Sequence, residues 1–338
     1  MNISVIIPMY GVEKYIARCA RSLFEQTLTN DVEFLFVNDA SNDKSCEVLK
    51  SVIDEYEAKN LNVKIINHEK NLGLPSARNT GLKHAKGDYV MHVDGDDFLE
   101  KDALESLYKA VRVNDADVAW CDYYITFETK KRVITQPCFK TTEDAVRGML
   151  RGTMKYNVWN KLCRRFLYVD NNISFPDGKS MGEDLTMIMV FLHANKCAYV
   201  NRPLYNYVQN PNQMTATYDE EKLESLRYNC NRISQYIDQH FSHVDYCSEY
   251  SALKQLMKWP FLLDGKYSSY QRWQNWFPES NAYIWQTKGV NTRIRFIEWC
   301  ASKHFLPIVW LHYILVIKLY YGIVYREDGN ENSFIGSV

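Results

Sequence analysis

The first 126 residues alternate between short apolar segments and amphipathic segments, and this alternation restricts the possible folds more than any other feature of the chain. The apolar segments have the length and composition of buried β-strands, and the segments between them carry apolar residues at helical spacing. Strands that alternate with helices form right-handed βαβ units around a parallel sheet. We therefore expect an α/β fold with a mostly parallel sheet flanked by helices. The predicted strands are residues 4–8, 32–37, 63–66, 89–93 and 118–126.

Three carboxylates follow the fourth predicted strand within four residues. Asp94, Asp96 and Asp97 surround Gly95, which lets the backbone turn so that Asp94 and Asp96 can face one point. Carboxylates this close repel one another unless a cation lies between them, and oxygen ligands suit a hard divalent ion. We therefore expect a Mn²⁺ or Mg²⁺ site that also holds substrate phosphates. The alternative is a surface turn, because Asp-Gly is a common turn dipeptide.

Two further polar groups fall near the ends of predicted strands. Asp39 follows the second strand, and Arg78 lies at the start of the helix that leads into the fourth. Ligands of parallel sheets bind beyond the carboxyl ends of the strands, so these groups are expected at one edge with the carboxylates. The turn after the first strand contains neither a GxGxxG nor a Walker A sequence. This disfavours a dinucleotide-binding domain and a P-loop.

The composition argues against several classes of protein. A net charge of −1 over 338 residues does not indicate general binding to nucleic acid. The nine cysteines form no CxxC pair, which argues against a disulfide framework and a zinc site, and for a reducing compartment. The N-terminal segment lacks the basic region of a signal peptide. We therefore expect a cytoplasmic protein.

From about residue 141 the pattern becomes helical and less regular, including the segment around 158–165. We expect a first domain at residues 1–215 and a helical C-terminal region at 216–338. Residues 305–324 are strongly apolar but contain Lys318. A central lysine costs a spanning helix about 2.5–3.5 kcal/mol. A helix that lies on the membrane or packs on the domain is favoured over a spanning one, and a buried C-terminal helix is the alternative.

Several segments, taken in order, resemble family 2 glycosyltransferases with the GT-A fold. The resemblance covers roughly the first 210 residues, and the remaining residues match no motif. The family's order and spacing are kept throughout. The segments are SVIIPMYGVEKYI, VNDASNDKS, NLGLPSARNTGL, GDYVMHVDGDD, VWNKLCRRFL and GEDL.

The resemblance implies a nucleotide-diphospho-sugar donor, with a UDP-sugar favoured, and a divalent cation, Mn²⁺ or Mg²⁺. By position, Asp39 would hydrogen-bond the nucleotide base, and Arg78 would lie near the pyrophosphate. Asp96, with Asp94, would hold the cation of the family's DXD motif. The residues implied to bind the nucleotide-sugar are Pro8, Tyr10, Asp39, Arg78, Asp94 and Gly95.

The resemblance also implies inverting transfer of a hexosyl or N-acetylhexosaminyl group to a hydroxyl of a glycan or lipid-linked acceptor. Asp184 of the Gly-Glu-Asp motif would be the catalytic base, with Glu183 beside it. Both precede an apolar helix, whose positive end is expected to lower their pKa. The alternative is N-capping of that helix. His92 and His193 are weaker candidates for a further metal ligand, since core or surface histidines are more common.

The implied setting is capsule, exopolysaccharide or lipopolysaccharide synthesis, with peripheral contact at the inner face of the cell membrane. Two alternatives stay open. A sugar nucleotidyltransferase would normally need a glycine-rich signature after the first strand, where this chain has PMYGVEKY. A non-catalytic sugar-binding or scaffold subunit would be indicated by loss of the clustered carboxylates or of Asp184, and both are present.

Overall fold

The computed structural model describes residues 2–179, 182–210, 219–287 and 290–321, without the side chains of Glu183, Tyr320 and Tyr321. These residues form two compact units. One contains most of the chain up to Asn229, and the other contains Arg147–Met154 and the chain from Cys230. The division falls within the helix Glu220–His240. The domain boundary expected at residue 215 stays a prediction.

A nine-stranded sheet forms the centre of the first unit. The order across the sheet is β3-β2-β1-β4-β8-β6-β9-β5, and β7 pairs with β6. The β1–β2, β2–β3, β1–β4 and β6–β9 pairs are parallel, and the β4–β8, β5–β9, β6–β7 and β6–β8 pairs are antiparallel. The expected α/β fold with parallel β1–β4 is confirmed, and the sheet as a whole is mixed rather than mostly parallel. The strands are β1 Ile3–Met9, β2 Val32–Asn38, β3 Asn62–Asn67, β4 Tyr89–His92, β5 Phe98–Leu99, β6 Val118–Thr126, β7 Lys131–Ile134, β8 Lys161–Arg164 and β9 Cys197–Val208.

Helices connect the parallel strands and continue through the second unit, which confirms the helical C-terminal region. Among the described residues, the α-helices are α1 Ile16–Phe24, α2 Ser45–Glu55, α3 Leu74–His84, α4 Ala103–Val113, α5 Thr142–Leu150, α6 Phe166–Val169, α7 Thr186–Leu192, α8 Glu220–His240, α9 Cys247–Lys258, α10 Tyr267–Asn275, α11 Thr292–Ser302 and α12 Leu306–His312.

Helix α3 lies directly on the sheet because a glycine faces β1. A Cβ atom at Gly81 would lie 2.2 Å from Cγ2 of Ile6, so only glycine allows this close approach. Arg78 is three residues before Gly81 on α3 and is almost fully buried. The packing of α3 against β1 therefore fixes the position of the Arg78 backbone relative to the sheet.

Strand β8 corrects the expectation that residues 158–165 are helical or irregular. It lies antiparallel between β4 and β6, and Lys161, Leu162 and Cys163 are all buried. Such a short strand has no readable periodicity, and its conformation comes from pairing with distant strands. The two-residue β5 and the exposed β7 were also not predicted from the sequence.

The apolar segment 305–324 does not form one regular helix. It contains α12 and a π-helical continuation at Tyr313–Tyr321, and residues 322–324 lie outside the described residues. Several of its large apolar side chains are exposed, including Phe305 at 49% and Trp310 at 51%. In the described part of the chain, no helix has the length and apolarity needed to cross a membrane.

Candidate active site

The acidic tip, defined here as Asp94–Gly95–Asp96–Asp97, follows β4 and lies against the end of β1. The backbone N–H of Asp97 donates to the carbonyl oxygen of Asp94 at 3.0 Å and closes the turn. A Cβ atom at Gly95 would lie 2.9 Å from the carbonyl oxygen of Pro8. Glycine is therefore required for the tip to approach β1. The structure brings Pro8 and Gly95, two of the sequence-predicted site residues, into direct proximity.

Asp97 points into the protein and does not join the other two carboxylates. It is fully buried and accepts hydrogen bonds from the Tyr205 hydroxyl and the Val208 N–H, both at 2.7 Å. The same Tyr205 hydroxyl accepts a bond from the N–H of Asp94 at 3.1 Å. Burial raises the pKa of Asp97 well above its usual range. The third carboxylate of the tip is thus an anchor to β9.

Asp94 and Asp96 are the two carboxylates of the tip that remain partly accessible. Burial and the charge of Asp94 raise the pKa of Asp96 to about 6, which a bound cation would reverse. Asn210 donates to Oδ2 of Asp96 at 3.0 Å. Among the described residues, no cluster of three or more His, Cys, Asp or Glu side chains is placed to hold a metal. Two carboxylates still fit Mg²⁺ or Mn²⁺, because such ions take their remaining ligands from water and substrate phosphates.

Arg78 connects the acidic tip with Asp184, the predicted catalytic base. Its Nη1 donates to Oδ1 of Asp184 at 2.7 Å, and its Nη2 donates to Oδ1 of Asp94 at 3.1 Å. The guanidinium carbon also lies 5.5 Å from the centre of the Phe175 ring. A single buried cation therefore holds two carboxylates that are far apart in the sequence.

Asp184 lies in a 3₁₀ turn, Glu183–Leu185, directly before α7. Its side chain keeps 22% of its exposure, and burial raises its pKa while Arg78 opposes the rise. The expectation that the helix end lowers this pKa is therefore wrong for Asp184. Helix α7 has only seven residues and begins after Asp184, so its field is weaker than the loss of solvation. The side chain of Glu183, the other predicted carboxylate, lies outside the described residues.

Asp39 is almost fully buried at the carboxyl end of β2. Its two oxygens accept hydrogen bonds from the N–H groups of Leu72 and Gly73, both at 2.8 Å. His68 Nδ1 lies 2.7 Å from Oδ1 of the same carboxylate. Asp39 therefore orders the loop that precedes α3. Tyr10, also predicted to bind the nucleotide-sugar, is 53% exposed after β1.

The two histidines considered as metal ligands have other surroundings. His92 is buried, with the rings of Phe175 and Tyr168 packed edge-on at 5.3 and 6.4 Å between centroids. Burial and the charge of Arg78 lower the pKa of His92 well below its usual value, so the ring is neutral. His193 follows α7 at its C-terminal end. His92 is therefore a buried core residue, the alternative that the sequence favoured over a metal ligand.

Several residues that shape the site were not singled out from the sequence. Tyr205 and Asn210 come from β9 and the residues after it, and Arg18 of α1 donates to the carbonyl oxygen of Asp96 at 3.0 Å. Lys161 is fully buried and donates to the carbonyl oxygens of Lys155 and Asn157 and to Oδ1 of Asn160. The sequence signal for Tyr205 is its place in residues 198–208, a segment whose apolar and aromatic residues are typical of a strand.

Comparison with known proteins identifies a family. The family model described as "Glycosyl transferase family 2" matches residues 4–179, more than half of the chain. The chain is 33% identical over 224 residues to the uncharacterized glycosyltransferase EpsJ of Bacillus subtilis, covering 63% of this chain and 62% of EpsJ. It is 31% identical over 211 residues to the poly(ribitol-phosphate) β-N-acetylglucosaminyltransferase TarS of Staphylococcus aureus, covering 61% of this chain and 35% of TarS. These alignments span less than two thirds of each relative.

Solved structures share the fold. The crystal structure of S. aureus TarS 1–349 in complex with UDP-GlcNAc aligns with a TM-score of 0.70 at 22% identity, covering 93% of this chain and 91% of that one. A mannosyltransferase from Pyrobaculum calidifontis, in complex with GDP-Man and Mn²⁺, aligns with a TM-score of 0.51 at 14% identity, covering 93% and 87%. The GT-A fold expected from the sequence is confirmed by the likeness to TarS.

Proposed function

Because the chain belongs to glycosyl transferase family 2, we propose that it moves a sugar from a nucleotide-diphospho-sugar to an acceptor hydroxyl, with inversion at the anomeric carbon. The observation that carries the proposal is the bridge from Arg78 to both Asp184 and Asp94. This bridge supports a proton acceptor, Asp184, and a carboxylate of the diphosphate and cation site, Asp94, that both contact the guanidinium of Arg78. A direct displacement requires both groups around one reacting carbon.

Asp184 is the proposed base that takes the proton from the acceptor hydroxyl. Its raised pKa favours this role, because a general base works best when its pKa approaches the working pH. Arg78 donates to Oδ1 of Asp184 and so favours the ionised form. The buried charge of Lys161 acts in the same direction. Glu183 stays a candidate for a supporting role on the same turn.

Asp94 and Asp96 are the proposed ligands of Mn²⁺ or Mg²⁺. When bound, the ion would neutralise the charge that develops on the departing diphosphate. Tyr205 and Asp97 hold the tip that carries both ligands, and Arg78 fixes Asp94. The Mn²⁺ complex of the distant mannosyltransferase neighbour supports a metal in this fold.

A UDP-sugar is the proposed donor, with a hexose or N-acetylhexosamine as the transferred group. The structural neighbour TarS binds UDP-GlcNAc, which supports this choice. Asp39 is proposed to hydrogen-bond the base, since three donors from Leu72, Gly73 and His68 leave acceptor capacity on a carboxylate. Pro8, Tyr10 and Gly95 are proposed to line the donor site.

Envelope glycan synthesis at the inner face of the cell membrane is the proposed setting. The observation behind it is the C-terminal apolar patch, whose members are all at least 40% exposed, with the exposed Lys303 before them and the exposed Lys318 among them in the sequence. Apolar side chains with flanking cations favour contact with an anionic lipid surface. The patch consists of Phe305, Ile308, Trp310, Leu311, Leu315 and Leu319.

A donor screen tests the proposal. Purified protein is incubated with UDP-, GDP- and dTDP-sugars, Mn²⁺ and a lipid-linked acceptor, and the released nucleoside diphosphate is measured. We expect acceptor-dependent release from one UDP-sugar, loss of that release in EDTA, and recovery with Mn²⁺ or Mg²⁺. Proton NMR of the product should show an inverted anomeric centre. Full release in the chelator, or retention of configuration, would contradict the proposed mechanism.

A further inference from the structure

A recess in the first unit borders the acidic tip. It is an open cleft of about 420 Å³, bounded by α1, the turn between β6 and β7, and the end of β9. Two of its lining residues contact Asp96 directly. Arg18 donates to the carbonyl oxygen of Asp96, and Asn210 donates to its carboxylate, both at 3.0 Å. The cleft therefore adjoins the candidate site for the cation and diphosphate.

Cationic side chains outnumber anionic ones in this cleft. Arg18, Lys130 and Lys131 line it, and Glu128 is the one acidic side chain among its described lining residues. All four are exposed. Lys131 also forms an ion pair with Glu100 at 3.3 Å, with both partners well solvated. Exposed pairs of this kind are weak, so Lys131 keeps most of its capacity to attract an anion.

Aromatic rings hold these cations near one another. The Arg18 guanidinium lies 4.7 Å from the centre of the Phe98 ring, and Nζ of Lys131 lies 5.1 Å from the same centre. Nζ of Lys130 lies 5.6 Å from the centre of the Phe127 ring. Phe98 directly follows the acidic tip. Arg18 and Lys131 thus contact the same ring beside the site, which keeps two cationic side chains at this end of the cleft.

The donor's diphosphate already has other expected partners. Arg78, Asp94 and Asp96 form the proposed donor and cation site, and none of them lines the cleft. The cleft volume falls in the range of small-ligand sites, and Tyr15 and Phe127 offer half-buried rings against which a sugar can pack. The cleft therefore has the size, charge and position of a site for the second substrate.

We propose that this cleft binds the acceptor, and that the acceptor is an anionic glycan carrying phosphate or carboxylate groups. The inference rests on the proposed sugar transfer. The negative groups pair with Arg18, Lys130 and Lys131, and the sugar ring packs against Tyr15 and Phe127. The bound acceptor would then lie beside Asp96 of the acidic tip, which Arg18 and Asn210 of the cleft contact.

Direct binding tests the inference without requiring turnover. Fluorescein-labelled oligo(glycerol phosphate), oligogalacturonate and neutral maltohexaose are titrated with the protein, and fluorescence polarisation is measured at low and high salt. We expect one or both anionic probes to bind and maltohexaose not to bind. Binding should weaken with salt, because exposed charges are screened within about 8 Å at physiological ionic strength. The two anionic probes distinguish a phosphate-bearing from a carboxylate-bearing acceptor.

Charge-reversal variants test whether the anionic probe binds in the cleft. Lys130→Glu should weaken anionic-probe binding by about three- to tenfold, since it replaces an exposed attraction with a repulsion. Lys109→Glu makes the same change on an exposed position of α4 outside the cleft and should leave binding unchanged. Lys130→Gln is a milder second variant, and thermal unfolding checks that each variant is folded.

The outcomes separate this inference from the proposed function. Equal binding of the anionic probes by Lys130→Glu and wild type, or no binding by wild type, would overturn the inference. Loss of UDP affinity in Lys130→Glu, measured by calorimetry, would assign the cleft to the donor and would also overturn it. Failure of the wild-type protein to bind UDP would instead count against the proposed function.

Discussion

Arg78 controls the charge state of the candidate site at the scale of single residues. It donates to Asp94 and Asp184, which carry like charges and would otherwise repel one another. Its guanidinium is almost fully buried. Removing one partner of a buried charged network leaves an uncompensated charge, which is strongly destabilising. The arginine thus places one buried positive charge between two carboxylates in a partly desolvated site.

The pH dependence of turnover follows from Asp184. Only its ionised form accepts a proton, so kcat should fall as the pH drops through the pKa of Asp184 in the folded protein. Because burial raises that pKa, the fall should begin above the value of about 4 at which an ordinary aspartate titrates. Initial rates at saturating donor and acceptor, measured across the acidic range, test this. Arg78→Met should shift the acidic fall in kcat further toward neutral pH, because the charge that opposes the raised pKa of Asp184 is removed. A fall in wild-type kcat centred at or below about pH 4, the pKa of an ordinary aspartate, would contradict the account.

Asp39 has a structural task that the sequence did not reveal. It accepts from the N–H groups of Leu72 and Gly73, so Asp39→Ala leaves two backbone donors without that carboxylate. We expect the donor's apparent KM to rise roughly ten- to a hundredfold, since a hydrogen bond to a charged group is worth about 1.5–3 kcal/mol. The melting temperature should also fall. Calorimetric titration with UDP tests the first effect, and unchanged affinity would exclude a base-binding role.

The sequence singled out candidate residues by their local position, and it missed residues that reach the candidate site through distant contacts. Asp94 and Asp96 are candidates because they follow a strand within one short segment. Arg18, Tyr205 and Asn210 reach the tip from segments far along the chain. Asp97 was grouped with its neighbours because the sequence cannot show which side chains turn inward. The raised pKa of Asp184 depends on burial, which residue spacing does not report.

Strand β9 stabilises the acidic tip at the scale of secondary-structure elements. Tyr205 connects Asp94 and Asp97 through one hydroxyl, and Val208 adds a backbone bond to Asp97. These bonds tie the turn after β4 to a strand at the other side of the sheet. Strand β9 therefore holds the turn that carries the two proposed cation ligands.

Tyr205→Phe tests this positioning role. The variant keeps the ring that stacks on Trp159 at 4.3 Å but removes the hydroxyl between Asp94 and Asp97. We expect the Mn²⁺ concentration for half-maximal rate to rise by roughly tenfold, because supporting hydrogen bonds commonly contribute 10–100-fold to metal affinity. Tyr267→Phe, on an exposed tyrosine, is the matched control. A change in melting temperature without a change in metal requirement would reduce Tyr205 to a purely structural role.

The parallel part of the sheet was predictable because strands buried on both faces have continuous apolar runs. All seven residues of β1 are buried, and the sequence there contains no charged residue. Strand β8 was missed because Lys161 and Asn160 interrupt any apolar pattern. The cost of burying Lys161 is offset by three hydrogen bonds to its ammonium group, a solution that appears only in three dimensions.

The C-terminal apolar patch bears on the behaviour of the whole molecule. We expect the protein to co-sediment with vesicles of phosphatidylglycerol and phosphatidylcholine, and less with phosphatidylcholine alone. Trp310→Glu combined with Leu315→Glu should reduce the bound fraction severalfold, because it places charges where apolar side chains would insert. Val113→Glu, on a side chain that is 74% exposed elsewhere, is the control. A wild-type protein that stays in the supernatant with both lipids would contradict membrane contact.

The proposed base, Asp184, tests the mechanism most directly, because inverting transfer requires a group that takes the proton of the acceptor hydroxyl. Asp184→Asn keeps the shape of the side chain but removes its ability to take a proton. Asp170→Asn, on an exposed residue after α6, is the matched control. Glu183→Gln shows whether the neighbouring carboxylate shares the role. Each variant is compared with wild type by kcat for transfer and by calorimetric affinity for UDP in the presence of Mn²⁺.

We expect Asp184→Asn to lower kcat by about 10²–10⁴ with nearly unchanged UDP affinity, Glu183→Gln to have a milder effect, and Asp170→Asn to have none. Normal kcat in Asp184→Asn, with loss of turnover in Glu183→Gln, would reverse the assignment of the base. Normal kcat in both would contradict the proposed mechanism.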